Sequence, residues 1–257
     1  MGRALFCWLR PVPMPPAAPS TPRILTATAR HRVVAAYAAP PDRLTARLPE
    51  GLVPDTRDGT AFVCLVGVQL IDVRVLGWAG PGFRRVPAVE LQVPVRTGEG
   101  GAASRGTLTV QAYVPRRLVA WAARGLYGEP VAVTSMQPVW KTGPDEVALT
   151  YRFDRAGREQ RLRVVGTPPP VAPAPDTLAA FLRDRSWRYG AAEDGPLRRA
   201  YVERPAGPLY RVTAHHVTVH WARVFGDAWA FLDDRAPRVV LCDPGGPLAL
   251  HWHEPVG

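Results

Sequence analysis

Short runs in which apolar and polar residues alternate recur along most of this chain, and they constrain its fold more than any other feature. Successive side chains of a β-strand point to opposite faces, so a strand with one buried face shows this period of two. Turn-forming Gly, Pro and Asp residues separate the runs. The pattern predicts strands at residues 32–37, 60–73, 84–95, 104–113, 131–140, 146–153, 160–165, 209–221, 238–242 and 248–252.

Signals for helices are few. Three short helices are predicted, at residues 41–48, 115–124 and 177–185. The first two begin with Pro, which suits a first helical turn, and the third follows Asp176, a good N-cap. Two turns, at residues 142–145 and 154–157, are expected to join neighbouring strands into hairpins. Many strands with three short helices predict a mainly antiparallel β domain (an α+β chain in which β dominates) that is closed or nearly closed.

The length of 257 residues fits one large all-β domain, and a hydrophobic content of 47% suffices for a packed core. Because residues 11–22 are rich in proline, we expect residues 1–22 to form a disordered leader and residues 23–257 a single domain. No apolar run reaches the ~20 residues of a membrane-spanning helix, and no secretory signal is evident. We therefore expect a cytoplasmic protein without a membrane partner.

The net charge of +10 raises the question of nucleic-acid binding. Arginine carries nearly all of this charge, because Lys141 is the only lysine of the chain. The arginines are scattered along the predicted strands and helices instead of being grouped in one basic segment. This distribution predicts no nucleic-acid partner. A contiguous basic face, with DNA binding that weakens as salt rises, would indicate the opposite.

The cysteines and histidines do not predict a metal site. Three cysteines without CxxC spacing indicate neither a disulfide framework nor a zinc site. His216 and His220 share one face of a predicted strand, and His251 and His253 form a second such pair. Four histidines on paired strands would suffice for a metal ion, but no carboxylate lies at a fitting offset. We expect these histidines to be solvated, and we predict neither a metal nor another cofactor.

Glu90 interrupts a strongly apolar predicted strand, in the order Val89-Glu90-Leu91-Gln92-Val93. A carboxylate there either faces solvent, which the alternation favours, or is buried with a partner. A buried carboxylate has a pKa that its surroundings can perturb, and it is therefore suited to proton transfer. Arg30, before the apolar run 33–37, is by itself one arginine among many. Neither a GxSxG nucleophile elbow nor a GxxxxGK[ST] phosphate loop is present.

Several segments, in this order and spacing, resemble the DUF2071 (YqjF-like) family. They are residues 48–52 (LPEGL), 55–63 (DTRDGTAFV), the strand around Glu90, and the predicted helix 115–124. A later stretch from Leu178 to Arg185, followed by Tyr189, resembles the FLxxR…Y motif of the family. The resemblance covers residues 24–254. It implies the fold of acetoacetate decarboxylase, a conical and mainly antiparallel β-barrel, which agrees with the predicted strands.

The resemblance extends to the active-site segments of acetoacetate decarboxylase, in which a lysine forms a Schiff base with a β-keto acid. The matching stretch here is GLYGEPVA, residues 125–132, so Val131 and Ala132 stand where the lysine pair would be. The arginine and the strand glutamate of that enzyme fall on Arg30 and Glu90. The resemblance thus implies a pocket that keeps its charged pair and lacks its nucleophile. We expect Lys141 to be solvated beside a polar turn.

The resulting expectation is a cavity lined by Arg30, Glu90, Tyr127 and Val131 that accepts a small carbonyl or carboxylate compound. Arg30 would hold a carboxylate bidentately and Glu90 would move a proton. The protein would then be a small-molecule-binding protein, or an enzyme that acts without a Schiff base. Two alternatives stay open: a structural or interaction protein with a collapsed, vestigial cavity, and a decarboxylase-like lyase. The sequence names neither the ligand nor an oligomeric state.

Overall fold

A computed structural model describes residues 21–80, 83–98, 104–190 and 196–256. Most of the predicted leader, residues 1–20, lies outside the described residues. The described strands are, in chain order, β1 (Arg23–Ala39), β2 (Leu52–Pro54), β3 (Ala61–Val75), β4 (Arg85–Thr97), β5 (Arg105–Val114), β6 (Val131–Val133), β7 (Val139–Thr142), β8 (Val147–Arg155), β9 (Arg158–Val171), β10 (Trp187–Gly190), β11 (Arg198–Glu203), β12 (Leu209–Thr218), β13 (Val239–His251) and β14 (Glu254–Pro255). The described helices are α1 (Pro41–Thr45), α2 (Arg117–Tyr127), α3 (Leu178–Arg183), α4 (Trp221–Phe225) and a 3-10 helix (Asp227–Leu232).

The mainly β prediction is confirmed, and every predicted strand overlaps an observed one. The predicted strand 131–140 is divided into β6 and β7, whereas 238–242 and 248–252 belong to the single strand β13. Both predicted hairpin turns are present. Gly143 N–H donates to the carbonyl of Glu146 (2.9 Å) between β7 and β8. Ala156 and Gly157, both with positive φ, join β8 to β9.

The predicted number of helices is wrong, because the described residues form five helical segments instead of three. The two additional segments are α4 and the 3-10 helix, which follow β12 directly. The predicted strand 209–221 therefore ends at Thr218. Gly226, with φ of 100°, separates the two segments. Each segment has no more than about two turns, so neither shows the repeated 3.6-residue period by which a helix is recognised in a sequence.

Seven strands pair in a closed ring, which we call the strand ring. The order of neighbours is β1, β3, β4, β5, β10, β11, β13 and again β1, and the pairs of Val202 with Leu250 and of Glu203 with Ala249 close it. All of these pairings are antiparallel except that of β5 with β10. The strands β12, β9, β8 and β7 continue from β13 as an antiparallel extension.

The long ring strands β3 and β4 are buried on both faces over most of their length, which explains why their sequences are so apolar. In β4, Val89 and Leu91 belong to the largest core cluster, together with Leu149 and Tyr151 of β8. Residues on the opposite face of β4, such as Val86, line the inside of the strand ring. The extension therefore packs on the outer face of the ring, while the inner face remains for a cavity.

Two helices pack on the inner face at different levels of the strands. Val119 and Ala122 of α2 pack in one cluster with Ala29 of β1. Phe181 of α3 packs in another cluster with Val34, five positions further along β1. The inner face between these two levels carries the charged residues of the site. Within the described residues, no helix combines the length and the apolar composition that crossing a membrane requires.

Candidate ligand cavity and its arginine cluster

A cavity of about 150 Å³ lies inside the strand ring. An apolar cavity of roughly this volume is large enough for a benzene-sized molecule. Most of its wall is aliphatic or aromatic, including Val68, Val73, Phe83, Val86, Ala88, Val114, Val119, Ala122 and Val131. The polar part of the wall consists of Arg32, Glu90, Gln92, Thr107, Glu129, Arg185, Arg188 and Arg204. The cavity therefore combines an apolar region with a charged region rich in arginine.

Glu90 lies in the wall of this cavity and is buried, although the alternation favoured a solvent-facing side chain. Both faces of β4 are covered, so the period of two does not distinguish the cavity from solvent. Its Oε2 accepts hydrogen bonds from Gln92 Nε2 (2.5 Å) and Arg188 Nη2 (3.1 Å). No hydrogen bond from a described residue reaches Oε1. This oxygen is therefore available to a ligand.

Glu129 is a second buried carboxylate of the cavity, and it is not among the predicted site residues. Gly128, in the left-handed conformation, ends α2 and turns the chain inward just before it. Arg188 donates to both of its oxygens, from Nη2 to Oε2 (2.8 Å) and from Nε to Oε1. Burial raises the pKa of Glu129, and the charge of Arg188 opposes this rise.

Arg188 connects the two glutamates and was also missed, because the short strand β10 was not predicted. Burial would lower the pKa of Arg188, but the carboxylates of Glu129 and Glu90 raise it well above its usual value. Arg188 therefore remains charged, and it fixes the positions of both carboxylates in the wall.

Arg30, the predicted cavity arginine, is exposed and is not part of the cavity wall. His31, with φ of 52°, forms an irregularity at which the register between β1 and β3 shifts, between Arg30 and Val33. This irregularity changes the alternation of side chains along β1. As a result Arg32, two residues after Arg30, lines the same cavity as Ala29.

Arg32 has only 7% of its surface exposed and has no hydrogen-bond or ion-pair partner among the described residues. Asp243 lies directly opposite it in the register of β1 with β13. That carboxylate instead accepts from Arg183 Nη2 (3.4 Å) and from the backbone N–H of Gly245 (2.8 Å). Burial lowers the pKa of Arg32, and the charge of Asp243 opposes this. The guanidinium of Arg32 therefore has unused donors in the cavity.

Arg185, the arginine of the FLxxR stretch, is engaged in the structure around the cavity. Its Nη1 donates to Asp55, whose Oδ2 also accepts from Arg105 Nε (2.8 Å). The guanidinium carbon of Arg185 lies 4.4 Å from the centre of the Phe181 ring, in cation–π geometry. Arg185 thus joins the chain just after α3 to the loop before β3.

Val131 lines the cavity at the first position of β6 and is buried. The backbone of Tyr127 ends α2, but its side chain lies outside the described part of the structure. Lys141 is exposed on β7, a strand of the extension, and does not line the cavity. The expected solvated position of this lysine is therefore confirmed.

Of the four histidines, which we predicted to be solvated, only His216 is exposed, and His220 and His253 are half-buried. His216 is exposed and lies 2.9 Å from Thr218 Oγ1, as a solvated residue would. His251 is instead buried: its Nδ1 lies 2.6 Å from the carbonyl of Thr21, and its Nε2 pairs with Glu203. Among the described residues, no three His, Cys, Asp or Glu side chains are arranged to hold a metal ion.

The fold matches solved structures of acetoacetate decarboxylase-like proteins. Acetoacetate decarboxylase from Legionella pneumophila is 14% identical with a TM-score of 0.63, over 97% of this chain and 93% of that one. The enduracididine biosynthesis enzyme MppR, solved with pyruvate, is 17% identical with a TM-score of 0.61, over 94% and 93%. An acetoacetate decarboxylase-like enzyme from Sphingomonas wittichii RW1 is 15% identical with a TM-score of 0.55, over 90% and 91%.

These similarities concern the fold, since the identities are low. No curated protein matches the chain in sequence. A family model does match, over residues 26–245, and it is the model of DUF2071, described as an uncharacterized conserved protein. Because this match covers most of the sequence, including the ring strands from β1 to β11, the chain belongs to the DUF2071 family.

Proposed function

We propose that the protein binds a small carbonyl or carboxylate compound in the cavity, as a binding protein or as an enzyme that forms no Schiff base. The observation that carries this proposal is the unpartnered guanidinium of Arg32, buried in a cavity whose remaining wall is largely apolar. A buried charge without a partner is costly. A ligand carboxylate would supply that partner through charge-assisted hydrogen bonds.

The shape of the molecule and the related folds support the same proposal. The closed strand ring supports the expected conical barrel, and the cavity argues against a collapsed, vestigial interior. One protein of similar fold was solved with pyruvate, a small oxo acid. A ligand of this kind offers both a carboxylate for Arg32 and a carbonyl carbon next to it.

The wall also determines which chemistry is available to a bound ligand. A Schiff base requires an amine, and the buried position that matches the decarboxylase lysine holds Val131. The proposed roles are therefore that Arg32 holds the carboxylate and that Glu90, through Oε1, accepts or returns a proton. Arg188 and Gln92 keep Glu90 in place through its other oxygen. In this proposal Arg32 takes the role that the sequence assigned to Arg30.

Thermal unfolding with short oxo acids tests this function. Pyruvate, 2-oxobutanoate and acetoacetate are each added to the wild type and to the variants Arg32→Gln and Arg30→Gln. A ligand that binds only the folded state raises Tm in a concentration-dependent manner. We expect such a rise for the wild type and for Arg30→Gln, but not for Arg32→Gln. If none of these acids, nor a wider panel of short carboxylates, raises the Tm of the wild type, the proposed function is wrong.

A further inference from the structure

An open groove of about 1010 Å³ adjoins the cavity. Four residues belong to both walls and therefore separate the two spaces: Arg185, Val202, Arg204 and Leu248. The rest of the groove includes Arg23 and Glu203, together with several prolines. The shared wall is consequently the part of the cavity that lies next to the groove.

Arg204, like Arg32, differs from the other arginines that line the cavity or the groove in having no bonded carboxylate among the described residues. Among the described residues, Arg185 bonds to Asp55, Arg183 to Asp243, Arg188 to Glu90 and Glu129, and Arg23 to Glu203. Arg204 follows β11 directly, is partly buried, and has neither a hydrogen bond nor an ion pair within the described part of the chain. Every carboxylate around it is thus already bonded to another arginine.

We propose that Arg204 and Arg32 together bind the anionic group of the ligand, and that the ligand is a monocarboxylate with an apolar body of about six carbon atoms. This inference rests on the proposed function and names its ligand class. It also gives the ligand an orientation, with the carboxylate at the wall shared with the groove and the apolar body inside the cavity.

The charges around Arg204 support one shared anion. Its pKa is lowered to about 9, first by the positive charge of Arg32 and then by burial. Asp243 opposes this decrease, while Arg183 and Arg188 add to it. Arg204 is still charged at neutral pH, so the free protein holds two unpaired guanidiniums that repel each other. One carboxylate between them would relieve that repulsion.

The parts of the cavity wall other than Arg32 and Arg204 explain why the ligand carries a single carboxylate and an apolar body. A second carboxylate deeper in the cavity would meet the negative charges of Glu90 and Glu129, or the apolar side chains around Phe83 and Val86. A polar body would lose its hydrogen bonds to water without finding partners there. A body the size of a benzene ring matches the volume of about 150 Å³.

Calorimetric titration with benzoate, benzamide and acetate tests this inference. Benzamide has the shape of benzoate without its charge, and acetate has the charge without the body. We expect the wild type to bind benzoate at least about tenfold more tightly than either of the others. Arg204→Met is expected to lose the preference for benzoate over benzamide, whereas Arg204→Lys keeps it in part. Arg23→Met is the matched control, because Arg23 lines the groove but not the cavity.

A stability measurement separates a binding role of Arg204 from a structural one. If Arg204 serves the ligand, Arg204→Met removes a repulsive charge, and its Tm without ligand equals or exceeds that of the wild type. A clear loss of Tm would overturn the inference, as would unchanged benzoate preference in Arg204→Met. Equal binding of benzoate and benzamide by the wild type alone would also overturn the inference. In all of these cases the proposed function stands if oxo acids or other short carboxylates still bind, and both proposals are wrong if none of them binds.

Discussion

At the scale of single residues, the cavity depends on a backbone irregularity where β1 faces β13. Ala29 and Arg32 both line the cavity because His31, at positive φ, interrupts the alternation between them. Gly245 lies opposite Arg30 with φ of 100°, and a Cβ there would lie 2.0 Å from the carbonyl oxygen of Ala29. The close approach of the two strands at this irregularity therefore requires glycine.

Substitution of this glycine is expected to be costly. Gly245→Ala introduces a left-handed alanine and a backbone clash, so we expect the free energy of unfolding to fall by about 2–4 kcal/mol. The neighbouring Gly246 has no atom within 4 Å of its own Cβ position, so Gly246→Ala is the control and should change stability by less than about 0.5 kcal/mol. Urea unfolding of both variants measures the difference, and equal stabilities would contradict this account of the irregularity.

The cavity wall has Val131, and therefore no amine, at the position that matches the decarboxylase lysine. Wild-type protein incubated with acetone and borohydride should show no adduct by intact mass, because Lys141 is exposed and lies outside the cavity. Val131→Lys places an amine in the cavity wall, where burial lowers a lysine pKa, and should form an adduct mapped to residue 131. Lys141→Arg serves as the control. An adduct on Lys141 of the wild type would contradict the prediction.

At the scale of elements, the closure of the strand ring combines strands from both ends of the chain. Glu203 of β11 accepts from Arg23 of β1 (2.8 Å) and pairs with His251 of β13. The hydrogen bond from Arg23, followed by that from His251, lowers the pKa of Glu203. A carboxyl with a lowered pKa stabilises the fold above its unfolded-state value, and this contribution is lost as pH falls through its folded-state value.

The pH dependence of stability should reveal this closure. Glu203→Gln is expected to have a lower Tm than the wild type at pH 7, because it loses the charged partner of Arg23 and His251. The difference should shrink at acidic pH, as the pH falls through the lowered pKa of Glu203 and the wild-type carboxyl becomes protonated as well. Glu146→Gln, at an exposed position near a turn, is the control and should match the wild type at both pH values. A Tm difference that is constant with pH would assign the effect of Glu203 to packing.

The strands also show how much of this fold and of its site can be predicted from the sequence. Long strands such as β3 and β4 were predicted because their composition and spacing carry a local signal. The short strands β10 and β11 were not, because they form through ring closure, and β10 pairs in parallel with the distant β5. Arg188 lies on β10, so the residue that connects Glu90 with Glu129 was missed. Arg32 was missed because nothing in the composition around His31 indicates the irregularity.

At the scale of the whole molecule, the strand ring and the extension share one core. Tyr151 of β8, in the extension, packs with Val33 of β1 in the largest cluster, and its hydroxyl donates to the carbonyl of His31 (2.7 Å). The extension therefore supports the β1 irregularity that places Arg32. The same contacts therefore stabilise both the cavity and the extension, as expected of a single folding unit.

The two buried cysteines provide probes on opposite faces of the strand ring. Cys64 packs with α3 on the inner face, and Cys242 belongs to the core shared with the extension. Burial raises the pKa of each thiol to about 12, so neither should react with iodoacetamide in the folded protein at pH 8. If residues 23–257 unfold as one unit, pulse alkylation along a urea titration should give both cysteines the same midpoint, equal to that from circular dichroism. Alkylation of Cys242 at clearly lower urea than Cys64 would show that the extension separates first, and that the single-domain prediction is wrong.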